Sequence, residues 1–347
     1  MTQARTTDPA VSLVVVNFNG EDCIRACVES LLAEERPARE VIVVDSASRD
    51  GSAAVLDALE RDHPQLRVIR LSENVGYAGG VNAALPFCRA ELVGVLNMDI
   101  VAEPGWLAPL IELLASRPEA GAANPMLALL DGEGVNALGQ DIHVTGLGFN
   151  RALGLRRENV GREPIPVSGI QGAAFLIRRR LLEEMGGMDA TGFLYHEDVN
   201  LSWLLRMMGY ELYCVPRSVV RHDYFLSMYP EKLFLLERNR GSLLLSYPSP
   251  LTLAFLSPML LVTELMLWGY ALLRGPAFLF AKARSYQALW RERAARRERR
   301  QLAGRLRRRS DRQLLRHMKW RYAWRQFAVL ARERGPSTRR RDASSPG

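Results

Sequence analysis

Two stretches carry residues able to do chemistry. The apolar run Leu92-Val93-Gly94-Val95-Leu96 ends in Asn97-Met98-Asp99, and Tyr195-His196 is followed by the adjacent carboxylates Glu197 and Asp198. In an extended chain side chains repeat every two residues, so Asn97 and Asp99 are expected on one side of a strand end. A hard divalent cation takes oxygen ligands, and Mg2+ usually accepts one or two carboxylates with substrate phosphates completing its shell. An ordinary turn also favours Asp, so this stretch alone leaves both readings open. Glu197 and Asp198 precede a helical pattern at Leu201, Leu204, Leu205 and Met208, which puts them at a helix N-terminus where the macrodipole favours carboxylates. Capping accounts well for one such residue and less well for two. His222 closes the strand-like run Val219-Val220-Arg221, where a structural histidine is the commoner occupant.

Positioning these groups requires a regular scaffold, and the first hundred residues read as one. Val11–Val16 is a β-branched strand ending in Asn17-Phe18-Asn19-Gly20. An apolar stripe at Ile24, Cys27, Val28, Leu31 and Leu32 predicts a helix over Asp22–Glu35. Glu40–Val44 is a second strand delivering Asp45-Ser46, Ser52–Asp62 a second helix, and Leu66–Leu71 a third strand. Such alternation implies right-handed strand–helix–strand units and a parallel sheet, whose ligands bind beyond the carboxyl ends of the strands. Asn74-Val75-Gly76-Tyr77-Ala78-Gly79-Gly80-Val81-Asn82 opens a further helix with free N–H groups suited to a phosphate. Its glycine spacing departs from the dinucleotide fingerprint, which argues against a nicotinamide enzyme. Trp106–Leu114 reads as a helix, residues 121–170 as loops and short strands, and Gln171–Ile177 as a strand with a basic end, Arg178-Arg179-Arg180.

Composition bounds the rest. The 347 residues are 48% hydrophobic with a formal charge of +8, enough for a large core and against wholesale disorder. The charge is unevenly spread: Ala281–Arg341 holds 22 Lys and Arg against four Asp and Glu, leaving 24 basic and 34 acidic residues elsewhere. An acidic body with a basic tail points to an anionic surface as the tail's partner. The four cysteines show neither metal-type nor disulfide spacing and read as reduced thiols. Met1–Ala10 lacks an apolar segment, so no signal peptide is expected there and the body is expected to fold in the cytoplasm.

Five motifs in order, Val14–Gly20, Val44–Ser52, Asn74–Asn82, Leu96–Asp99 and His196–Val199, resemble the family 2 glycosyltransferases, most closely the bacterial rhamnosyltransferase-like branch that builds surface polysaccharides. The resemblance covers roughly Ser12–Tyr247. It implies the α/β GT-A fold, a Rossmann-like nucleotide-sugar-binding mixed sheet flanked by helices. It also implies a dTDP-, UDP- or GDP-sugar donor, a saccharide or lipid-linked acceptor, a divalent cation (Mg2+ or Mn2+) and inversion at the anomeric carbon. By position, Asp45 meets the nucleotide base, Asn17 and Asn19 border its pocket, and Asn74, Gly79 and Asn82 approach the nucleotide or sugar. Asp99 matches the last Asp of the family's D-x-D on metal and diphosphate. Asn97 takes the first position, so one carboxylate rather than two faces the cation. Asp198 falls where the family's base lies, with Glu197 beside it, and His222 matches a position that completes metal coordination in some members. A base is needed because a sugar hydroxyl titrates far above neutrality, and an inverting displacement needs no covalent nucleophile. Two other classes stay open: a catalytically silent nucleotide-sugar-binding protein, and a nucleic-acid-binding protein acting through the Arg-rich tail. The acidic body and lack of a recognition motif weigh against nucleic acid.

The chain therefore divides into a catalytic domain over 1–247, an apolar membrane-associating helical segment over 248–281 and a basic helical tail over 282–347. Leu251–Leu273 is long enough to cross a bilayer, but Pro258 and Glu264 suit a broken, half-wet helix better. A clean span would also put the catalytic domain and the basic tail on opposite sides, although both belong with the cytoplasm. A peripheral or re-entrant segment on the cytoplasmic face of the bacterial membrane satisfies both, and a buried core helix is the alternative. Trp320, Trp324 and Phe327 are spaced to form an aromatic stripe among arginines, suited to anionic lipid.

Overall fold

In chain order the elements are β1 (Val11–Asn17), α1 (Ile24–Leu32), β2 (Glu40–Asp45), α2 (Ser52–Asp62), β3 (Leu66–Arg70), α3 (Gly76–Ala84), β4 (Leu92–Asn97), β5 (Ile100–Ala102), α4 (Leu107–Ser116) and β6 (Ala120–Leu129). There follow β7 (Val135–Ala137), β8 (Gln140–Ile142), β9 (Gly148–Asn150), β10 (Ile165–Pro166), β11 (Ala174–Arg178), α5 (Arg179–Met185), α6 (Glu197–Met207) and β12 (Glu211–His222). Six helices close the chain: α7 (Pro230–Ser246), α8 (Pro250–Arg274), α9 (Pro276–Arg291), α10 (Arg293–Leu306), α11 (Asp311–Leu315) and α12 (Trp324–Arg332). This computed structural model describes residues 9–332; the remainder of the basic tail, including Arg334 and Arg339–Arg341, lies outside the described residues.

The main sheet runs β10-β12-β6-β11-β4-β1-β2-β3. Strands β1, β2, β3 and β4 are mutually parallel, β11 is antiparallel to β4 and β6, and β12 is parallel to β6. All seven residues of β1 are buried because its alternate side chains serve two cores. Leu13 and Val15 face α1, α2 and α4, while Val14 and Val16 face α3 and α6. That double burial is why the strand reads as an unbroken apolar run. No disulfide occurs among the described residues, and Cys27, Cys88 and Cys214 are buried thiols.

Four expectations need correction. The region expected to be loops contains β6, a ten-residue strand in the middle of the sheet. Its sequence, Ala-Gly-Ala-Ala-Asn-Pro-Met-Leu-Ala-Leu, is poor in β-formers and holds Pro125, which lacks a ladder donor. The neighbouring β12 accommodates it with an irregularity between Val215 and Val219. Second, α8 is continuous through Pro258. The Ala254 carbonyl that Pro258 leaves without its helical donor accepts from Ser257 Oγ at 2.7 Å. Third, Glu264 is an internal ion-pair partner although part of its side chain stays exposed: it meets Arg240 at 2.6 Å and Lys282 at 2.7 Å, in a cluster completed by buried Glu237. Fourth, Trp320 precedes α12 instead of belonging to one helical stripe with Trp324 and Phe327.

The expected boundary at residue 247 does not separate packing units either. Ala303, Leu306, Leu314 and Met318 enter the same core as Val14 and Trp203. The Arg-rich composition hides them, although two of the arginine heads between them, Arg307 and Arg309, are engaged internally. Arg307 donates to the Tyr247 carbonyl at 2.6 Å, and Arg309 bonds the Gly209 carbonyl and the Glu211 carboxylate, both at 2.7 Å. The Lys319 N–H also donates to the Ile142 carbonyl at 2.7 Å, tying the tail to β8.

Candidate active site

Beyond the carboxyl ends of β1, β2 and β4 lies an open crevice of about 670 Å³. Val16 and Phe18, Ser46, the Asn74–Tyr77 corner, the Asn97–Asp99 turn and Phe193-Leu194 line it. Its rim beside β1 is held by a compact polar set. The Asn17 amide donates to Asp45 Oδ1 at 2.9 Å and to Ser48 Oγ at 3.1 Å, and Ser48 donates to the same Asp45 oxygen at 2.5 Å. Register fixes the first contact, because Asn17 and Asp45 are partners in the parallel ladder. Asn19, at φ 52°, accepts from the Arg49 N–H at 2.8 Å. Gly20 is required here: a Cβ would lie 2.3 Å from Asn17 Oδ1 and 2.7 Å from Met98 Sδ. Asn74 caps the α3 corner by accepting from the Gly76 N–H at 3.0 Å.

Of the residues expected at the donor, Asn74 and Asn97 line this crevice, Asn17, Asn19 and Asp45 lie at its rim, and Gly79 and Asn82 lie away from it. Gly79 and Asn82 lie one helical turn apart on the face of α3 turned toward residues 187–190. The Asn82 amide is engaged at both ends by the Met188 backbone, donating at 2.8 Å and accepting at 2.7 Å. A Cβ on Gly79 would crowd Val75 at 2.9 Å. Period 3.6 separates this face from the N-terminal corner, where Asn74, Gly76 and Tyr77 meet the crevice.

The Asn97–Asp99 relationship also differs from strand alternation. β4 stops at Asn97, and Asp99 sits in the turn before β5. Both still line the crevice. Antiparallel pairing of β5 with β12 sets His222 opposite Ile100, which brings His222 Nε2 within 3.3 Å of Asp99 Oδ1. The far nitrogen, Nδ1, lies 3.0 Å from Asn136 Oδ1 on β7. The ring is thus held between the Asn136 amide and the Asp99 carboxylate. One carboxylate oxygen and one imidazole nitrogen facing a common point suit a divalent cation. Among the described residues no set of three or more His, Cys, Asp or Glu is arranged as a closed metal site.

The adjacent carboxylates form a second wall behind Tyr77, outside the crevice lining, and Glu197 borders a separate small cavity with Asn200, Asn239 and Arg299. Asp198 accepts from Gln140 Nε2 at 2.6 Å and the Gly172 N–H at 3.0 Å on one oxygen, and from the Val199 N–H at 2.8 Å on the other. Burial raises its pKa, and those donors hold it down in part. Glu197 is also pushed up, by burial and then by the Asp198 charge. Its Oε2 has no hydrogen-bond partner among the described residues. Tyr77 stands between the walls: its hydroxyl donates to the Gly172 carbonyl at 2.8 Å, and its pKa is raised by burial and then by Glu197, Asp198 and Asp99.

The chain reaches this wall through strained backbone. Phe193, Tyr195 and His196 have φ of 58°, 65° and 71°, conformations costing about 1–3 kcal/mol each for such residues. Asn239 of α7 holds them, its amide donating to the carbonyls of Gly192, Leu194 and Tyr195 at 3.0, 3.1 and 2.7 Å. Arg299 of α10 pairs with Asp189 and donates to Ser242 Oγ at 2.6 Å. Tyr77, Asn136, Gln140 and Asn239 had no signal in the sequence, since each acts through a partner distant along the chain.

This sheet, with a polar crevice at its parallel edge and carboxylates on both walls, defines a GT-A glycosyltransferase. The fold is shared with GalNAc-T7 crystallised with UDP, GalNAc and Mn2+ (TM-score 0.58, 16% identity, 71% of this chain), of which this chain spans about half the length, 49%. It is also shared with the mannosyltransferase PcManGT from Pyrobaculum calidifontis in complex with GDP-Man and Mn2+ (TM-score 0.53, 20% identity, 87% of this chain and 86% of that one). Residues 12–186 match the family described as Glycosyl transferase family 2, and the chain belongs to that family. Among curated relatives, the N-acetylglucosaminyl-diphospho-decaprenol L-rhamnosyltransferase of Mycobacterium tuberculosis is 28% identical over 239 residues, covering 62% of this chain and 76% of that protein.

Proposed function

We propose that this glycosyltransferase moves a rhamnose-like sugar from a nucleoside-diphosphate donor onto a hydroxyl of a saccharide or lipid-linked saccharide, with inversion, in cell-surface polysaccharide synthesis. The work is placed at the cytoplasmic face of the bacterial membrane, where the donor is made and a lipid-linked acceptor is held. The relative's printed activity on a diphospho-decaprenol acceptor supports this class of substrate. The observation that carries the reading is the gathering of carboxylates around Tyr77, with Asp99 beside His222 at the crevice and Asp198 behind the tyrosine.

The donor's nucleoside lies over Asn17, Asp45 and Ser46, and its diphosphate points to Asn97 and Asp99. Asp99 and His222 would hold the divalent cation; when bound it offsets the charge that develops on the departing diphosphate. Asp198 accepts the proton of the acceptor hydroxyl as that oxygen bonds to the anomeric carbon and the carbon–oxygen bond to the diphosphate breaks. A raised pKa suits this task, because a base nearer neutrality takes the proton more completely in the transition state. Gln140, Gly172 and Val199 fix the carboxylate's direction. Glu197 is the neighbouring candidate.

Mass spectrometry of products from a panel of dTDP-, UDP- and GDP-sugars with a lipid-linked acceptor tests the reaction. Asp198→Asn is expected to slow transfer by about 10²–10⁴-fold while donor affinity stays near that of the parent. Near-parental turnover would move the role to Glu197.

A further inference from the structure

Helix α8 is apolar on the wrong side. It is the one helix among the described residues long and apolar enough to cross a membrane, yet little of it is buried. Leu251, Phe255, Val262, Leu265, Leu272 and Leu273 all project outward, Leu251 at 84% and Leu273 at 88% exposure. Their spacing at 3.6 residues per turn places them on one stripe about 33 Å long. The opposite stripe, at Leu256, Thr263, Leu267 and Ala271, is buried, and Glu264 on that side reaches Arg240 and Lys282. A water-facing helix would have the reverse arrangement, and an exposed apolar strip of this length marks an interaction surface.

The surroundings of the strip say what covers it. Trp320 packs edge-on against Phe255, with ring centroids 6.1 Å apart. Beyond it Trp324 is 61% exposed, and the exposed side chains of Arg316, Arg321 and Arg325 interleave with these aromatics. No acidic residue occurs from Arg312 to Leu330. An apolar stripe bordered by tryptophan and arginine is complementary to the acyl boundary and headgroups of an anionic lipid leaflet. The structure assigns α8 to lie along such a leaflet, flat and without crossing it, with the segment around α12 as its basic, aromatic rim. Three features keep the helix in the plane. The Glu264 cluster ties its middle to α7 and α9, Tyr322 bonds Thr263 at 2.9 Å, and α9 returns along it at once after Gly275. A crossing helix would have to draw Glu264 away from two buried cations. The same rim is joined to the base: Gln326 donates to the Asn150 carbonyl at 2.7 Å, and Asn150 connects through Gln171 and Gln140 to Asp198. A chain of hydrogen bonds thus links the proposed base to the lipid-facing rim. This rests on the membrane-face location proposed above.

The test uses the full chain with phosphatidylglycerol–phosphatidylethanolamine vesicles. Flotation is expected with the anionic vesicles and to weaken in high salt. Phe255→Glu with Leu265→Glu, both on the exposed stripe, is expected to lower vesicle affinity by about tenfold or more with an unchanged circular dichroism spectrum. Spin labels at Leu251→Cys, Val262→Cys and Leu272→Cys, in a Cys23→Ser background, are expected at one common depth. A depth that changes steadily by about 30 Å along the series would overturn the in-plane placement in favour of a span. Absent vesicle binding by a chain that still hydrolyses its donor, or labels shielded by a second copy in solution, would overturn the lipid partner. Vesicle binding with common depths but no sugar transfer to any acceptor would uphold the seat and count against the proposed function instead.

Discussion

The two walls of the site are held by different means. On the donor wall, Asn17, Asp45 and Asn97 end parallel strands whose registers are set by their own ladders. Each side chain is aimed by backbone a few residues away, and the polar contacts are short-range across neighbouring strands. On the base wall, Glu197 and Asp198 follow three residues of left-handed backbone, and nothing local explains why that backbone persists. It persists because Asn239 of α7 occupies three of its carbonyls and because α10 braces Asp189 through Arg299. One wall is built by secondary structure; the other is imposed by helices that follow the sheet in sequence. Packing and the Arg299–Asp189 pair thus tie the helices beyond residue 247 to this wall.

The largest effect expected from this contrast is that of truncation after Tyr247. It removes Leu306, Leu314 and Met318 from the core, at about 2–5 kcal/mol each, against a total stability of about 5–15 kcal/mol. The truncated protein is expected to be unfolded or aggregated by circular dichroism and gel filtration. A soluble, donor-hydrolysing fragment would show instead that the base wall stands without its brace.

On the donor wall, Asp99→Ala is expected to weaken cation-dependent donor binding by about 100-fold, since neutral Asn97 cannot replace its charge. Calorimetric titration with Mn2+ and a nucleoside diphosphate measures this, and thermal stability should barely move. Donor binding that is indifferent to chelator in the parent chain would remove the cation from this wall.

A smaller change separates the walls more sharply. Asn239→Ala takes the side-chain donor from the Leu194 and Tyr195 carbonyls, while Gly192 keeps Arg238 and the Leu194 N–H, at a cost of about 2–3 kcal/mol. Turnover is expected to fall about tenfold as the strained segment shifts. A denaturant midpoint equal to the parent's would show that the left-handed backbone is held by something other than α7.

The smallest effect is on acid stability. Burial holds both His196, in the strained segment, and His143, stacked on Tyr322, down to about 4 from an ordinary 6.5. Between those values the unfolded chain takes up protons that the folded one does not. Stability is therefore complete above pH 6.5 and falls on acidification, by roughly 1 kcal/mol per histidine at pH 5.5. Denaturant melts at pH 7.5 and 5.5 measure the difference, and His143→Phe should halve it. A flat profile would mean that these two contacts open without cost.

How far the sequence could be read follows the same division. Strands β1 to β4 and the helices between them were legible because double burial makes apolar runs and single-face burial makes 3.6-residue stripes. Asn17, Asp45, Asn74 and Asp99 were legible as polar residues ending those runs, and Glu197 and Asp198 as a pair opening a helix. Strand β6 was not, because its small residues and Pro125 carry no strand pattern and only its neighbours make it one. Which face of α3 carries Gly79 and Asn82 was not legible, since the motif that contains them bends through a helical turn.

The sequence by itself determined the parallel half of the sheet, the residue types at its carboxyl edge and the existence of a long apolar helix. All of these depend on patterns spanning a few residues. Tertiary structure decided that His222 faces Asp99, that Gln140 and Gly172 orient Asp198, and that Glu264 turns inward while the leucines of α8 turn out. Those outcomes depend on which distant surface each side chain meets. Periodicity states that a helix has two faces; only its neighbours in space determine which face is covered.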